Sequence, residues 1–381
     1  MEFMSIQDLV AISRRYGADP DYVVAGGGNT SFKDETTLYI KGSGSSLAEA
    51  EPERFVRMDR RLLKGIWEKT YPEDPGERER AALADMMAAR MSGEEQKRPS
   101  VETLLHDLLP FAFVVHTHPA LINGLTCSRE GENAAAELFG GESIWIPSIN
   151  PGYILSRQVK EAMDAYTKRQ GRPGAIIFLQ NHGIVVGADT TGGIQELYRR
   201  IMETVKTRIS REPDLSGEVS AYACSADVGQ VLGRLSGGKA ARFLRNNEIA
   251  ALVRDRRSFF PVSGPFSPDH IVYAGSDPLF ADAPDGDAGE IAGGLEAAWK
   301  QHSEKTGRDP KIAAVQGLGV FGIGSTDKAA GLALELFIDA VKVAAYTEAF
   351  GGVRFMSPDQ IDFINTWEVE QYRSKVAGIN G

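Results

Sequence analysis

Cysteine is almost missing from this chain: 381 residues include only Cys127 and Cys224, and no CxxC spacing occurs. That excludes a disulfide-stapled secreted scaffold, and the two thiols read as ordinary buried side chains. Long apolar runs are also lacking. The longest, such as residues 111–115 and 175–179, fall far short of the roughly 20 residues that cross a bilayer. The start MEFMSIQDLV has no basic segment followed by an apolar one, so a cytoplasmic protein without membrane contact is expected. Positive charge is in deficit too, with 42 Lys and Arg against 52 Asp and Glu and a net charge of -10. A nucleic-acid partner is not expected, because phosphate binding needs clustered cations. The short basic clusters at 199–200 and 254–257 are interrupted or flanked by acids and read as solvated surface.

What the chain does have is the material for two α/β units. Residues 5–16 place Ile6, Leu9, Val10 and Ile12 on one helical face, with Gly17 as a stop. Strand-type runs follow at 37–41, 111–116, 143–147, 175–179 and 184–187, separated by helical stretches at 80–91, 100–109 and 156–168. The charged stretch 71–98 reads as a surface helix. Apolar periodicity fades after about residue 211, which divides the chain into 1–211 and 212–381. Residues 171–206 and 307–342 align without a gap as strand, glycine turn, strand and long helix, so the second part reads as a degenerate repeat of the first. Residues 144–152 and 271–278 extend that parallel upstream. His182 falls opposite Leu318, and no HxH follows residue 118, so the second copy is expected to lack any metal site.

Three of the six histidines lie in HTHP at 116–119 and NHG at 181–183. In a strand, residues i and i+2 share a face about 7 Å apart along the chain, so His116 and His118 can converge on one ion. His182, at the end of a neighbouring strand, would complete a set of three nitrogens with open positions for substrate oxygens. Read one at a time, each would be a core or capping histidine satisfied by hydrogen bonds. As a set they favour zinc, and manganese, cobalt or iron fit the same ligands. Two glycine loops, AGGGNTSFKD at 25–34 and KGSGSSL at 41–47, can turn backbone N–H groups toward an anion, with Lys41 adding positive charge. Neither matches a Walker A or dinucleotide fingerprint. In RPSVETLLHDLLP (98–110), Ser100 reads as a helix cap and Glu102 as a first-turn acid. Glu102 reads equally well as a proton carrier beside the metal, a task that burial would favour by raising its pKa.

Taken in order, GGGNTS, KGSG, PSVE with its following LH, HTHP and NHG resemble the class II aldolase/adducin family over roughly residues 5–210. The resemblance implies an α/β/α sandwich with a central mixed β-sheet, followed here by a C-terminal α/β domain. It implies that His116, His118 and His182 ligate Zn2+, with Mn2+, Co2+ or Fe2+ as substitutes, and that Glu102 is the catalytic acid/base. Gly28, Asn29, Ser43, Gly44 and Ser100 would contact a sugar or sugar-phosphate substrate. The implied reaction is an aldehyde-lyase cleavage of a ketose 1-phosphate of the deoxyhexulose type, through a metal-stabilised enediolate, to dihydroxyacetone phosphate and an aldehyde, by a homo-oligomer. Epimerisation, dehydration or decarboxylation on the same scaffold is the alternative activity, and a non-catalytic adducin-like module the alternative class. One position departs from the pattern: Val101 stands where members that bind phosphate commonly have a second serine. FSPDHIVYAG and RFMSPDQIDFINTWEVEQYR resemble the region after the aldolase domain in long bacterial proteins of the rhamnulose-phosphate aldolase type, which continue into a short-chain dehydrogenase. A version without that dehydrogenase is expected here.

Overall fold

A computed structural model describes residues 2–283, 288–369 and 372; residues 370, 371 and 373 of the last quoted segment lie outside the described ones. The chain divides into two compact units, one holding residues up to Thr126 and Glu130–Arg208, the other Cys127–Arg129 and residues from Ile209 on. No described helix is long and apolar enough to cross a membrane.

The first unit runs α1 (Glu2–Gly17), β1 (Asn29–Lys33), β2 (Thr37–Lys41), β3 (Phe55–Asp59), α2 (Arg60–Ile66), α3 (Pro75–Ala88), α4 (Thr103–Leu108), β4 (Phe113–Thr117), α5 (Ala120–Thr126), α6 (Gly131–Phe139), β5 (Ser143–Ile146), α7 (Tyr153–Gln170), β6 (Ile176–Leu179), β7 (Gly183–Ala188) and α8 (Thr191–Lys206). Its seven strands form one mixed sheet in the order β3-β2-β1-β4-β7-β6-β5, parallel only between β5 and β6. Helices cover both faces, as the α/β/α sandwich requires. Alternation along β4 decides which residue meets which layer. Val114 packs with Leu105 from α4 and Val159 and Met163 from α7, so His116, two residues on, faces that same layer. Thr117 points the other way and hydrogen-bonds the Tyr198 hydroxyl of α8 at 2.8 Å.

Two expectations change here. The second half of the first glycine loop is strand β1, not loop. The stretch 71–98 is helical only over Pro75–Ala88, and one face of that helix is buried. Glu79 is 4% exposed and accepts the backbone N–H groups of Tyr153 and Ile154, at 2.7 and 3.2 Å, at the start of α7.

The second unit contains α9 (Ser225–Leu235), β8 (Ala240–Leu244), α10 (Asn247–Leu252), α11 (Arg256–Phe259), β9 (Leu279–Ala281), α12 (Ala288–Thr306), β10 (Ile312–Val315), β11 (Gly319–Gly324), α13 (Asp327–Thr347) and α14 (Pro358–Thr366). Its four strands lie in the order β8-β11-β10-β9. That is the order β4-β7-β6-β5, with the same single parallel pair. Hydrogen bonds recur at matching places. Gln180 N–H donates to Ile146 O and Gln316 N–H to Ala281 O, both at 3.0 Å, and each glutamine side chain accepts a backbone N–H two residues beyond that carbonyl, from Ser148 and Ala283. Asn181 N–H donates to Thr126 O and Gly317 N–H to Val253 O. Thr190 and Thr326 cap α8 and α13 alike. The upstream parallel drawn from the sequence is out of register: residues 144–146 correspond to Leu279–Ala281, whereas His270–Ala274 is wound into a π-helical turn. An apolar run reads alike as strand or buried helical turn, and only pairing separates them.

Candidate metal centre

The site is assembled where β4 ends, beside the turn from β6 to β7. Residues 180–183 turn tightly there, with Asn181 at φ 56°. A Cβ on Gly183 would lie 2.5 Å from Thr117 O and 2.8 Å from His118 Cδ2, so only glycine lets the turn close against β4. Gly28 does the same from the other side. Its φ is +65° and a Cβ would meet His116 O at 2.7 Å.

These turns bring His116, His118 and His182 together, one ligand nitrogen of each lying within 4.8 Å of the others. The His116 and His118 Nε2 atoms are 2.9 Å apart. His116 Nδ1 lies 2.9 Å from Ile184 O, an acceptor that fixes the proton on Nδ1 and turns the Nε2 lone pair toward the other imidazoles. Glu102 spans the group. Its Oε2 is 3.5 Å from His116 Nε2 and its Oε1 3.6 Å from His182 Nε2. His116 and Glu102 are 1% and 4% exposed, and Oε1 has no hydrogen-bond partner. A carboxylate oxygen left bare among imidazole nitrogens is costly to bury alone, at about 1–3 kcal/mol or more. The donor set and the bare oxygen both fit a divalent cation held by three neutral imidazoles.

Burial pushes the Glu102 carboxyl up, but His116 and His182, the Asn29 amide and His106 together bring it down to about 2. This is opposite to the rise expected from burial alone. The direction depends on imidazolium charge, which neutral metal-ligating imidazoles do not carry.

Glu102 stands at the N-cap of α4 rather than in its first turn, and Ser100 accepts the Glu102 backbone N–H at 3.3 Å instead of capping the helix. The loops expected to hold an anion are stitched to one another. Lys41 Nζ donates to the carbonyls of Gly26 and Gly28 at 3.1 and 2.7 Å, so its charge ties the two glycine loops together. Ser100 N–H donates to Lys41 O, and Ser43 N–H to Arg98 O. Gly44 adopts φ +80°. Asn29, the partner of His116 across the β1–β4 pairing, is 7% exposed and donates its amide to Glu102 Oε2 at 2.5 Å.

Sequence reasoning gave Lys33 no role, placed Ser31 in a loop able to face an anion and set His106 one turn after Glu102; Lys33, Ser31 and His106 are buried, at 6%, 0% and 0% exposure. The available signal was the alternation in NTSFK, which puts Asn29, Ser31 and Lys33 on one face. Ser31 Oγ lies 2.7 Å from His106 Nδ1, and Lys33 Nζ donates to His106 O at 2.7 Å. Burial lowers Lys33 to about 7, with Asp107 opposing, and lowers His106 to about 3, with Glu102 opposing.

Residues 7–207 match the model of the class II aldolase and adducin N-terminal domain. The chain belongs to that family. Among solved structures, the class II aldolase domain of a Thermoplasma acidophilum protein is 28% identical, covering 53% of this chain and 92% of that one at a TM-score of 0.45. L-fuculose-1-phosphate aldolase from Thermus thermophilus is 14% identical, covering 54% and 94% at a TM-score of 0.36. A curated Bacillus subtilis relative, the uncharacterized oxidoreductase YuxG, is 22% identical over 98% of this chain, which spans 58% of that protein's length. This class II aldolase-family chain carries, within the matched residues, a seven-stranded mixed sheet and a cluster of three histidines.

Proposed function

We propose that the first unit is a zinc-dependent aldehyde-lyase that cleaves a ketose 1-phosphate into dihydroxyacetone phosphate and an aldehyde. The observation that carries this reading is the group His116, His118 and His182 beside Glu102, whose Oε1 is buried without a hydrogen-bond partner. The three imidazoles would hold the ion, and Mn2+, Co2+ or Fe2+ fits the same donors. A bound divalent ion supplies a Lewis acid that withdraws electron density from hydroxyketone oxygens. The chain supplies the rest. As the C–C bond breaks, the hydroxyl beside it would lose its proton to solvent and the carbon left behind would gain one, delivered by Glu102 through Oε1, with Oε2 held by Asn29. In the loops tied in place by Lys41, the Gly28 and Gly44 N–H groups and the Ser43 and Ser100 hydroxyls would offer the donors for the phosphate.

Elemental analysis of purified protein tests the metal. About one zinc per chain is expected in the wild type, and none in His116→Ala or His182→Ala, because a site stripped of one of three ligands does not retain its ion. Absence of metal in the wild type, with none gained on titration, would replace this reading with a non-catalytic module. Product analysis by NMR tests the reaction: a retained carbon skeleton would move the activity to epimerisation, dehydration or decarboxylation.

The second unit is, in this proposal, a copy of β4–β7 and their helices that carries no metal site.

A further inference from the structure

Buried polar groups must be paired, and around Glu102 the pairing fixes a direction. Asn29 touches two partners with its two amide ends, Nδ2 on Glu102 Oε2 and Oδ1 on His106 Nε2. A carboxylate only accepts, so it must receive Nδ2–H, and Oδ1 is left facing the imidazole. His106 Nε2 must therefore carry a proton. In the neutral ring Nδ1 is then an acceptor, and Ser31 Oγ at 2.7 Å donates to it. The result is a one-way chain of donation from Ser31 through His106 and Asn29 to Glu102. Every member is at most 7% exposed, so no bulk water competes. The chain also joins two elements at fixed spacing: Asn29 and Ser31 alternate on β1, while Glu102 and His106 lie one helical turn apart at the start of α4. Lys33, next on the same strand face, clamps the His106 carbonyl.

The geometry points to His106 as a positioning residue for Glu102: through the Asn29 amide it commits Oε2 to a hydrogen bond and reserves Oε1 for the proton that moves in the reaction. This rests on the acid/base role proposed for Glu102. A turned-over amide would set Oδ1 against Oε2, acceptor against acceptor, and would free the carboxylate to rotate. His106 prevents that turnover by offering a donor and no acceptor at Nε2. Asn29 is in consequence an orienting group for Glu102, with one Nδ2 hydrogen committed to Oε2.

The test uses metal-loaded full-length protein and two readouts. The first is exchange of the carbon-bound protons of dihydroxyacetone phosphate with deuterium, followed by NMR, which reads the proton transfer itself. His106→Phe should lower kcat about 10–100-fold, the usual effect of losing such a supporting contact. KM should stay within about threefold and zinc content should be unchanged. His106→Gln, whose amide can still donate to Asn29 Oδ1, should recover most of the loss. An unchanged kcat in His106→Phe, no recovery in His106→Gln, or loss of zinc in either would overturn the assignment. The second readout needs no turnover. With 15N-labelled histidine, His106 should be the Nε2–H tautomer, and the Asn29 side-chain amide should exchange slowly with solvent in the wild type and faster in His106→Phe. An Nδ1–H tautomer, or equal amide exchange in the two proteins, would overturn it. If the wild type fails to exchange dihydroxyacetone phosphate while the tautomer and amide behave as stated, the failure lies with the lyase reading, not with the His106 chain.

Discussion

The two units share a backbone plan and differ in what it carries. Where β4 and the turn after β6 present His116, His118 and His182, the register of β8 with β11 puts Phe243, Arg245 and Leu318. Arg245 closes that place. It donates to the carbonyls of Gly317 and Leu318 at 2.8 and 2.5 Å and stacks its guanidinium 4.5 Å over Tyr222. The second difference is a missing neighbour. In the first sheet β1 lies beside β4 and brings Asn29 next to His116; in the second, β8 is the edge strand among the described residues. The turn geometry, the paired glutamines and the threonine caps belong to the scaffold, since both units have them. The candidate chemistry lies in three histidines and in the polar face that β1 shares with α4.

The largest expected effect separates the carboxylate from the ligands within the first unit. Glu102→Gln should keep about one zinc per chain and lower turnover by roughly 10²–10⁴, the range of general acid–base catalysis. Metal loss equal to that of His182→Ala would make Glu102 a ligand, and the comparison would then turn on four side chains instead of three.

Why the trio was legible and its acid's setting was not follows from the residues. HTH at the end of an apolar run needs only the period-2 rule to share a face, and β2 matches residues 37–41 because TLYIK is apolar and β-branched. The gapless match of 171–206 with 307–342 foreshadowed the common turn. NTSFK was hidden because Asn, Ser and Lys are surface and turn residues by propensity. They become a buried strand face only because α4 supplies His106 and Glu102, about 75 residues away in sequence, as partners. For Lys41 the sequence showed a cation beside glycines but not that its ammonium donates to two carbonyls of the neighbouring loop.

A middle-sized effect should appear in a matched pair of glycines. An alanine Cβ at Gly183 meets Thr117 O and the His118 ring, and one at Gly319 meets the Phe243 ring at 2.6 Å and Leu244 O at 2.9 Å. Each should cost about 1–3 kcal/mol in stability, as overpacking does. Only Gly183→Ala should also weaken zinc, by about 10–100-fold through displacement of His118. Thermal unfolding beside a zinc titration reads both, and a zinc defect in Gly319→Ala would break the division of labour.

The smallest effect is a gain. If the two turns are equivalent in space, Phe243→His, Arg245→His and Leu318→His introduced together should let the second unit take an ion. Removing Arg245 also lifts the cation that now covers the turn. Zinc content should rise from about one toward two per chain, with the added ion released first to a competing chelator. Among the described residues that site has no β1 beside it and no counterpart of Glu102 to compensate its charge. Exchange of dihydroxyacetone phosphate should stay at the wild-type rate, because three nitrogens hold a metal without moving a proton. Retention of one zinc by the folded triple variant would mean that the shared hydrogen bonds do not carry side-chain geometry with them.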